Sequence, residues 1–186
     1  MTNALWLVIR TIGSLLATAC VLRALSHRLH LSPHNPISLF INAVTDWLVK
    51  PLRKVVPPSR NVDWASLIGA VLMAVIVAVL YTLIFMSGRA PAFGAVVLLA
   101  VGWLIEWSLQ LLIAMLVLQA VLSWVNPHAP LAPALNQLTT PFLAPIRKFV
   151  PLIGGVDVSP MVLILVVYVL LDLLQSLLLQ LGRLPF

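Results

Sequence analysis

The stretch Ser32–Asp63, SPHNPISLFINAVTDWLVKPLRKVVPPSRNVD, is answered 94 residues later by Asn126–Asp157, NPHAPLAPALNQLTTPFLAPIRKFVPLIGGVD. The two align without a gap. Pro33 meets Pro127, His34 meets His128, Pro36 meets Pro130, Asn42 meets Asn136 and Thr45 meets Thr139. Pro51 falls on Pro145, Arg53-Lys54 on Arg147-Lys148, Pro57 on Pro151 and Val62-Asp63 on Val156-Asp157. Chance does not hold register through so many prolines, so the stretch reads as half of an internal duplication, and a repeat decides the fold before any single element does.

Each copy lies between two apolar runs. A bilayer core of about 30 Å is crossed by about 20 apolar helical residues. Four runs qualify: 4–25, 66–86, 93–124 and 161–181, of which the second, containing LIGAVLMAVIVAVLYTLIFM, is the cleanest. The predicted fold is therefore all-α: a polytopic membrane protein of four transmembrane helices in two tandem repeats, 1–92 and 93–186. Two spans per repeat make the halves run in the same direction, so the axis relating them should follow the membrane normal.

The composition agrees. Of 186 residues, 62% are hydrophobic and only 9% charged, and mean hydropathy is +1.11. A soluble domain carries roughly 25% charged residues, so a water-soluble enzyme is excluded. One cysteine rules out a disulfide scaffold, and the apolar content rules out a disordered chain. LLATAC at Leu15–Cys20 faintly resembles a lipoprotein cleavage site. Ala17 stands where leucine is wanted, and the apolar pattern runs on to Leu25, so a retained span is expected.

Charge predicts sidedness. Eight of the eleven basic residues (Arg23, Arg28, Lys50, Arg53, Lys54, Arg60, Arg147 and Lys148) flank or fill the two segments between paired spans. Basic loops stay cytoplasmic, which would put both termini on the periplasmic side of a bacterial inner membrane. The net charge of +6 points to anionic lipid headgroups rather than nucleic acid, because the basic residues flank spans and form no aromatic-interleaved patch.

Within the first copy, Ile37, Phe40, Ile41, Val44 and Leu48 share helical spacing, with Asn42, Thr45 and Asp46 opposite. This predicts a helix over about 36–49 lying in the headgroup plane, with Trp47 suited to the interface. Its counterpart, about 132–140, should stop at Pro141, since proline removes a donor and clashes with the preceding turn. Next would come two stiff basic turns, Pro51–Pro57 and Pro145–Pro151, holding Arg53, Lys54, Arg147 and Lys148 toward lipid or a partner protein. Gly154-Gly155 would permit a tight reversal. Ser159 before Pro160 would cap the last span with proline at its first turn. Asp157 would complement that positive helix end, and Asp63 and Ser66 would do the same for the second span.

These residues carry a resemblance. Leu122-Ser123-Trp124, the run Leu138–Lys148 (LTTPFLAPIRK) and Gly154–Met161 (GGVDVSPM) resemble the YggT (YlmG-like) family of small bacterial and plastid membrane proteins. Asn35–Ser38 and Pro51–Pro57 carry the likeness in the first half, and it extends over nearly the whole chain. Thr45-Asp46 departs from it, standing where a Thr-Gln/Glu-Pro pattern is expected, so the first interfacial helix should run on where its twin stops. The resemblance implies a four-span, two-repeat inner-membrane protein. It also implies links to osmotic-stress tolerance and ion uptake, to cell-division gene neighbourhoods and, in plastids, to cytochrome maturation and nucleoid distribution. It supplies no catalytic residues.

The remaining chemistry is sparse. Arg10, Glu106 and Asp172 are the charges set within or near hydrocarbon, where ionisable groups are paired or functional. The expectation is that Arg10 approaches one of the two carboxylates. Gln110, Gln119, Gln175 and Gln180 should hydrogen-bond between helices or subunits, and Trp103, Trp107 and Trp124 should mark interfaces or fill packing. His27, His30 and His34 stand at i, i+3, i+7 and could share a face for metal or haem only if the helix ran through Pro33. Walker A, GxGxxG, HExxH and GxSxG patterns are missing from the sequence. The expectation is a non-enzymatic scaffold, assembly or stress-tolerance factor without a cofactor. It would have a membrane-protein partner or form a homo-oligomer, and the alternative is a small oligomeric ion channel or transporter.

Overall fold

The computed structural model describes residues 2–60, 62–85, 93–126, 128–150 and 157–181. Six helices account for nearly all of them: α1 Thr2–Arg28, α2 Pro36–Val55, α3 Trp64–Phe85, α4 Phe93–Val125, α5 Ala132–Arg147 and α6 Ser159–Leu181. The helices α1, α3, α4 and α6 are long and apolar enough to cross a membrane. A long, a short and a long helix thus follow one another twice. In each half the short helix packs against both long ones, and α1 and α3 meet α4 between the halves. At about 1.5 Å per residue, the 33 residues of α4 reach about 50 Å, beyond the hydrocarbon thickness.

Small residues let α1 and α3 approach. Ala17 and Cys20 are buried against Ala70, Ala74, Val77 and Ala78. A Cβ on Gly13 would stand 2.2 Å from Val77 Cγ2. Close approach over small side chains is how helices gain packing energy in lipid, which offers no hydrophobic drive between them. A second core joins α4, α5 and α6 through Leu112, Leu116, Leu135, Leu138, Leu143 and Val167. At the other end of the bundle Trp6, Tyr81, Phe85, Trp103 and Trp107 form an aromatic cluster, in which Trp103 and Trp107 stack with centroids 6.2 Å apart. Trp107 is buried, so both tryptophans fill packing. Trp124 has its side chain outside the described residues.

The short helices lie at one end of the bundle. Gln137 of α5 donates to the Leu29 carbonyl just after α1, at 2.6 Å, and Leu22, Leu25, Leu29 and Ile37 pack on the core that α5 closes. Both are amphipathic. In α2, Ile41, Thr45 and Val49 face the bundle, while Leu39, Phe40 and Trp47 are exposed.

Two expectations about these helices need correction. α2 runs through Pro51 to Val55, and α5 runs through Pro141 and Pro145 to Arg147. Pro141 therefore does not end α5, and Pro51 and Pro145 lie within final helical turns rather than in separate stiff turns. The carbonyls these prolines leave without a helical donor belong to Trp47, Gln137 and Pro141, all exposed residues that headgroup water can reach. The usual penalty of an interior proline is softened where its orphaned acceptor is solvated. Pro57 is exposed beyond α2; Pro151, Gly154 and Gly155 lie outside the described residues.

Helix ends follow local chemistry. Asn35 caps α2, its side-chain oxygen accepting from the Ile37 amide at 2.9 Å with Pro36 in the first turn. α1 ends differently. The Leu31 amide reaches the Ser26 carbonyl at 2.9 Å, the His30 amide reaches the His27 carbonyl at 3.1 Å, and His30 takes a φ of 53°. This is a Schellman termination with histidine where glycine is usual. It stops the helix before His34, so the three histidines do not share a helical face.

Candidate functional site

Each short helix carries an arginine in its last turn, and ten residues later an aspartate stands just before the next span. In the first half, Asp63 is fully buried. One of its oxygens accepts from Arg53 Nη2 and from the Ser66 hydroxyl, the latter at 2.7 Å. In the second, Arg147 Nε donates to Asp157 Oδ2 at 2.9 Å, with Nη2 2.8 Å from the same oxygen. The other Asp157 oxygen accepts the Ser159 amide at 2.9 Å. Each aspartate thus caps a transmembrane helix and clips it to the short helix before it, where an anion also meets the positive helix end. Ser159 itself is the first residue of α6, followed by buried Pro160. Its hydroxyl has no partner among the described residues, so Asp157 and not Ser159 supplies the cap.

Burial alone would raise the Asp63 carboxyl. The Arg53 and Ser66 hydrogen bonds outweigh it and hold the group below the usual carboxylate range. Asp157 behaves alike: burial pushes up, the Ser159 and Arg147 bonds pull down, and the net direction is down. The two arginines are therefore engaged within the chain, whereas Lys54 and Lys148 beside them are exposed, with no ion pair among the described residues.

A second tie joins each short helix to the span before it, through the paired threonines. Thr139 Oγ1 donates to Gln119 at 2.5 Å, and Gln119 donates to Asn136 at 2.7 Å. In the first half Arg23 donates to Thr45 at 2.7 Å and reaches Asp46 at 3.0 Å. Asp46 also holds Lys50 at 2.8 Å, one helical turn on. The bond to Lys50 lowers the Asp46 carboxyl most; burial opposes it, and the bond to Arg23 with the charges of both cations keeps the net direction below the ordinary value. Asp46 is thus a counterion to the buried Arg23. Arg23 was not singled out by sequence, because its counterpart across the repeat is Val117.

Among the intramembrane charges, Arg10 Nη2 meets Glu106 Oε1 at 3.3 Å, as expected of one of the two carboxylates. Gln110 donates to the same oxygen at 3.3 Å. Asp172 is not part of this clip. It is exposed on the outer side of α6, in an open groove between α4 and α6 with Gln110, Tyr168 and Gln175. Gln119 hydrogen-bonds between helices, whereas Gln175 and Gln180 are exposed. His27 meets the Ser59 carbonyl at 3.0 Å, and His30 and His34 are exposed.

This geometry defines a class: a four-span helical membrane protein with its two short amphipathic helices gathered at one end and each clipped to a span by an Arg–Asp pair. The CCB3/YggT family model matches the chain twice, over residues 2–84 and 98–178. The chain is 34% identical over 171 residues to "Uncharacterized protein YggT" of Escherichia coli, covering 90% of this chain and 87% of that one. It is 33% identical over 162 residues to a Vibrio alginolyticus protein, 87% of this chain and 88% of the other. A Haemophilus influenzae protein is 32% identical over 176 residues, 92% and 93% of the two chains. No solved structure matches it. The chain belongs to the CCB3/YggT family.

Proposed function

We propose that the chain is a non-enzymatic scaffold of the bacterial inner membrane, which assembles or steadies another membrane protein, with stress tolerance as the downstream effect. One observation carries this reading: Asp172 is exposed on the side of α6 that lipid would bathe, in a groove of about 750 Å3 with Gln110 and Gln175. A carboxylate facing hydrocarbon is costly unless a donor meets it. The occupant that suits the groove is a transmembrane helix of another protein carrying a cation or amide at that depth. Interhelical hydrogen bonds of this kind are worth about 1 kcal/mol, enough to select a partner over lipid.

The basic end supports an orientation. Lys54, Lys148, Arg28 and Arg60 are exposed around the short helices, as residues lying on anionic headgroups would be. Attraction of about 1 kcal/mol per cation near such a surface favours that end as the cytoplasmic one, with both termini periplasmic. The twofold order of helices and the repeated Arg–Asp clip support two parallel repeats about an axis along the membrane normal.

Affinity purification from native membranes tests the reading. Wild-type protein should recover a membrane partner in fixed stoichiometry, and Asp172→Leu should lose it while staying folded. Equal recovery by both overturns the assignment of the groove. Self-association lost in Asp172→Leu would make the occupant a second copy. The exposed Asp172 also keeps a pore between subunits in play. Ion flux in proteoliposomes that falls on Asp172→Asn would favour that channel reading, and its absence would favour the scaffold.

A further inference from the structure

A separate polar cavity of about 200 Å3 lies at the end of the bundle where α1 meets α2. Arg23, Ser26, His27, Ser38, Asn42 and Arg53 contribute to its lining. Three of these residues carry buried polar atoms with no hydrogen-bond partner among the described residues: Arg23 Nε, Arg53 Nε and Ser26 Oγ. The Arg23 side chain is only 7% exposed. A buried donor left unmet costs about 1–3 kcal/mol, more when charged, and here three such atoms belong to residues that line one cavity.

Their other bonds leave them available. Arg23 commits Nη1 to Thr45 and Asp46, and Arg53 commits Nη2 to Asp63. Arg23, Lys50 and Arg53 share only the two carboxylates Asp46 and Asp63. Of these cations only Arg23 and Arg53 line the cavity, and His27 adds a ring nitrogen bonded to the Ser59 carbonyl.

The second half acts as an internal control. At the positions of Arg23, Ser26, His27 and Ser38 it has Val117, Ala120, Val121 and Ala132, yet the same helices form and the same Arg–Asp clip closes. The architecture does not require the polar lining.

We infer that this cavity is a binding site for a phosphate-type oxyanion, held by the guanidinium groups of Arg23 and Arg53 with Ser26 beside them. Guanidinium donors suit phosphoryl oxygens, and the bonds are charge-assisted. A water's share of liquid is about 30 Å3, so the space admits a phosphoryl group with water beside it. The anion is either free phosphate or the headgroup of an anionic phospholipid lying against α2. The site is distinct from the exposed lysines and from the Asp172 groove, and it does not depend on the scaffold reading.

Two arms test it on the full-length protein. In neutral detergent, inorganic phosphate should raise the thermal midpoint beyond chloride at equal ionic strength, in a saturable way. In nanodiscs, native mass spectrometry should find phosphatidylglycerol retained in preference to phosphatidylcholine. A phosphate effect alone identifies a free anion, lipid retention alone identifies a headgroup, and failure of both overturns the site. Arg23→Val with Asp46→Thr installs the residues of the second half and leaves net charge unchanged. It should weaken binding by about tenfold or more, the loss expected for one charged hydrogen bond. Ser26→Ala, milder and similar in size, should weaken it severalfold. Undiminished binding in either folded variant overturns the assignment, as would equal loss in Lys148→Gln, which lies outside the cavity.

Discussion

Asp63 and Asp157 occupy equivalent places but differ in what surrounds them, and that difference sets what each is worth. Asp63 is 0% exposed and its Arg53 partner 34%, whereas Asp157 and Arg147 are 30% and 42% exposed. Removing one member of a buried pair strands the other in low dielectric, a loss of about 3 kcal/mol, while a solvated pair contributes about 1 kcal/mol or less. Asp63→Ala should therefore destabilise by about 3 kcal/mol and Asp157→Ala by about 1 kcal/mol, read from unfolding in mixed micelles; equal effects would contradict the assignment. Acid adds a check. The Asp63 carboxyl is held below its ordinary value, so the unfolded chain takes up a proton more readily. Its contribution is then fully present above the ordinary aspartate value of about 3.9. It is lost as pH falls below that value, through the lowered folded one. Wild-type stability should fall with acidification in that window, and Asp63→Asn should flatten the fall. The role of the arginines was not legible as a site. Cationic residues beside apolar spans read as lipid-facing, and the cue that they are consumed internally is the ten-residue spacing of Arg53 to Asp63, kept in Arg147 to Asp157.

Among the elements, the four spans were legible to within a few residues, because 20 apolar residues in a row admit one solution. The short helices are longer than their prolines suggest. Pro51, Pro141 and Pro145 would break a helix where the freed carbonyl is buried, and here those carbonyls belong to exposed residues. The end of α1 was not legible either, since His30 fills a left-handed position that glycine usually takes. His30→Gly should stabilise the protein by about 1 kcal/mol, relieving that conformation; a loss of stability would mean that the imidazole itself does structural work. Between elements, Gly13 sets the α1–α3 distance. Val77 is β-branched and rotamerically stiff in a helix, so it cannot swing aside from an added Cβ. Gly13→Ala should destabilise by about 1–3 kcal/mol, and Val77→Ala in the same chain should restore most of it. A double-mutant cycle with no coupling would rule out that close approach.

At the level of the whole molecule, one juxtaposition organises the rest: α2 and α5, contributed by different halves, share one end of the bundle, tied by Gln137 to the Leu29 carbonyl. The repeat and the distribution of basic residues foretold this, since an even number of spans returns each segment to the same face. The groove between α4 and α6 was not foretold, because sequence shows that Asp172 lies in an apolar run but not which way that helix turns. Membrane sidedness of the two short helices is the most direct test. With buried Cys20 replaced by alanine, single cysteines at positions 54 and 148 should both escape a membrane-impermeant maleimide in intact spheroplasts. Both should react once the membrane is permeabilised. One protected cysteine and one labelled from outside would contradict the account.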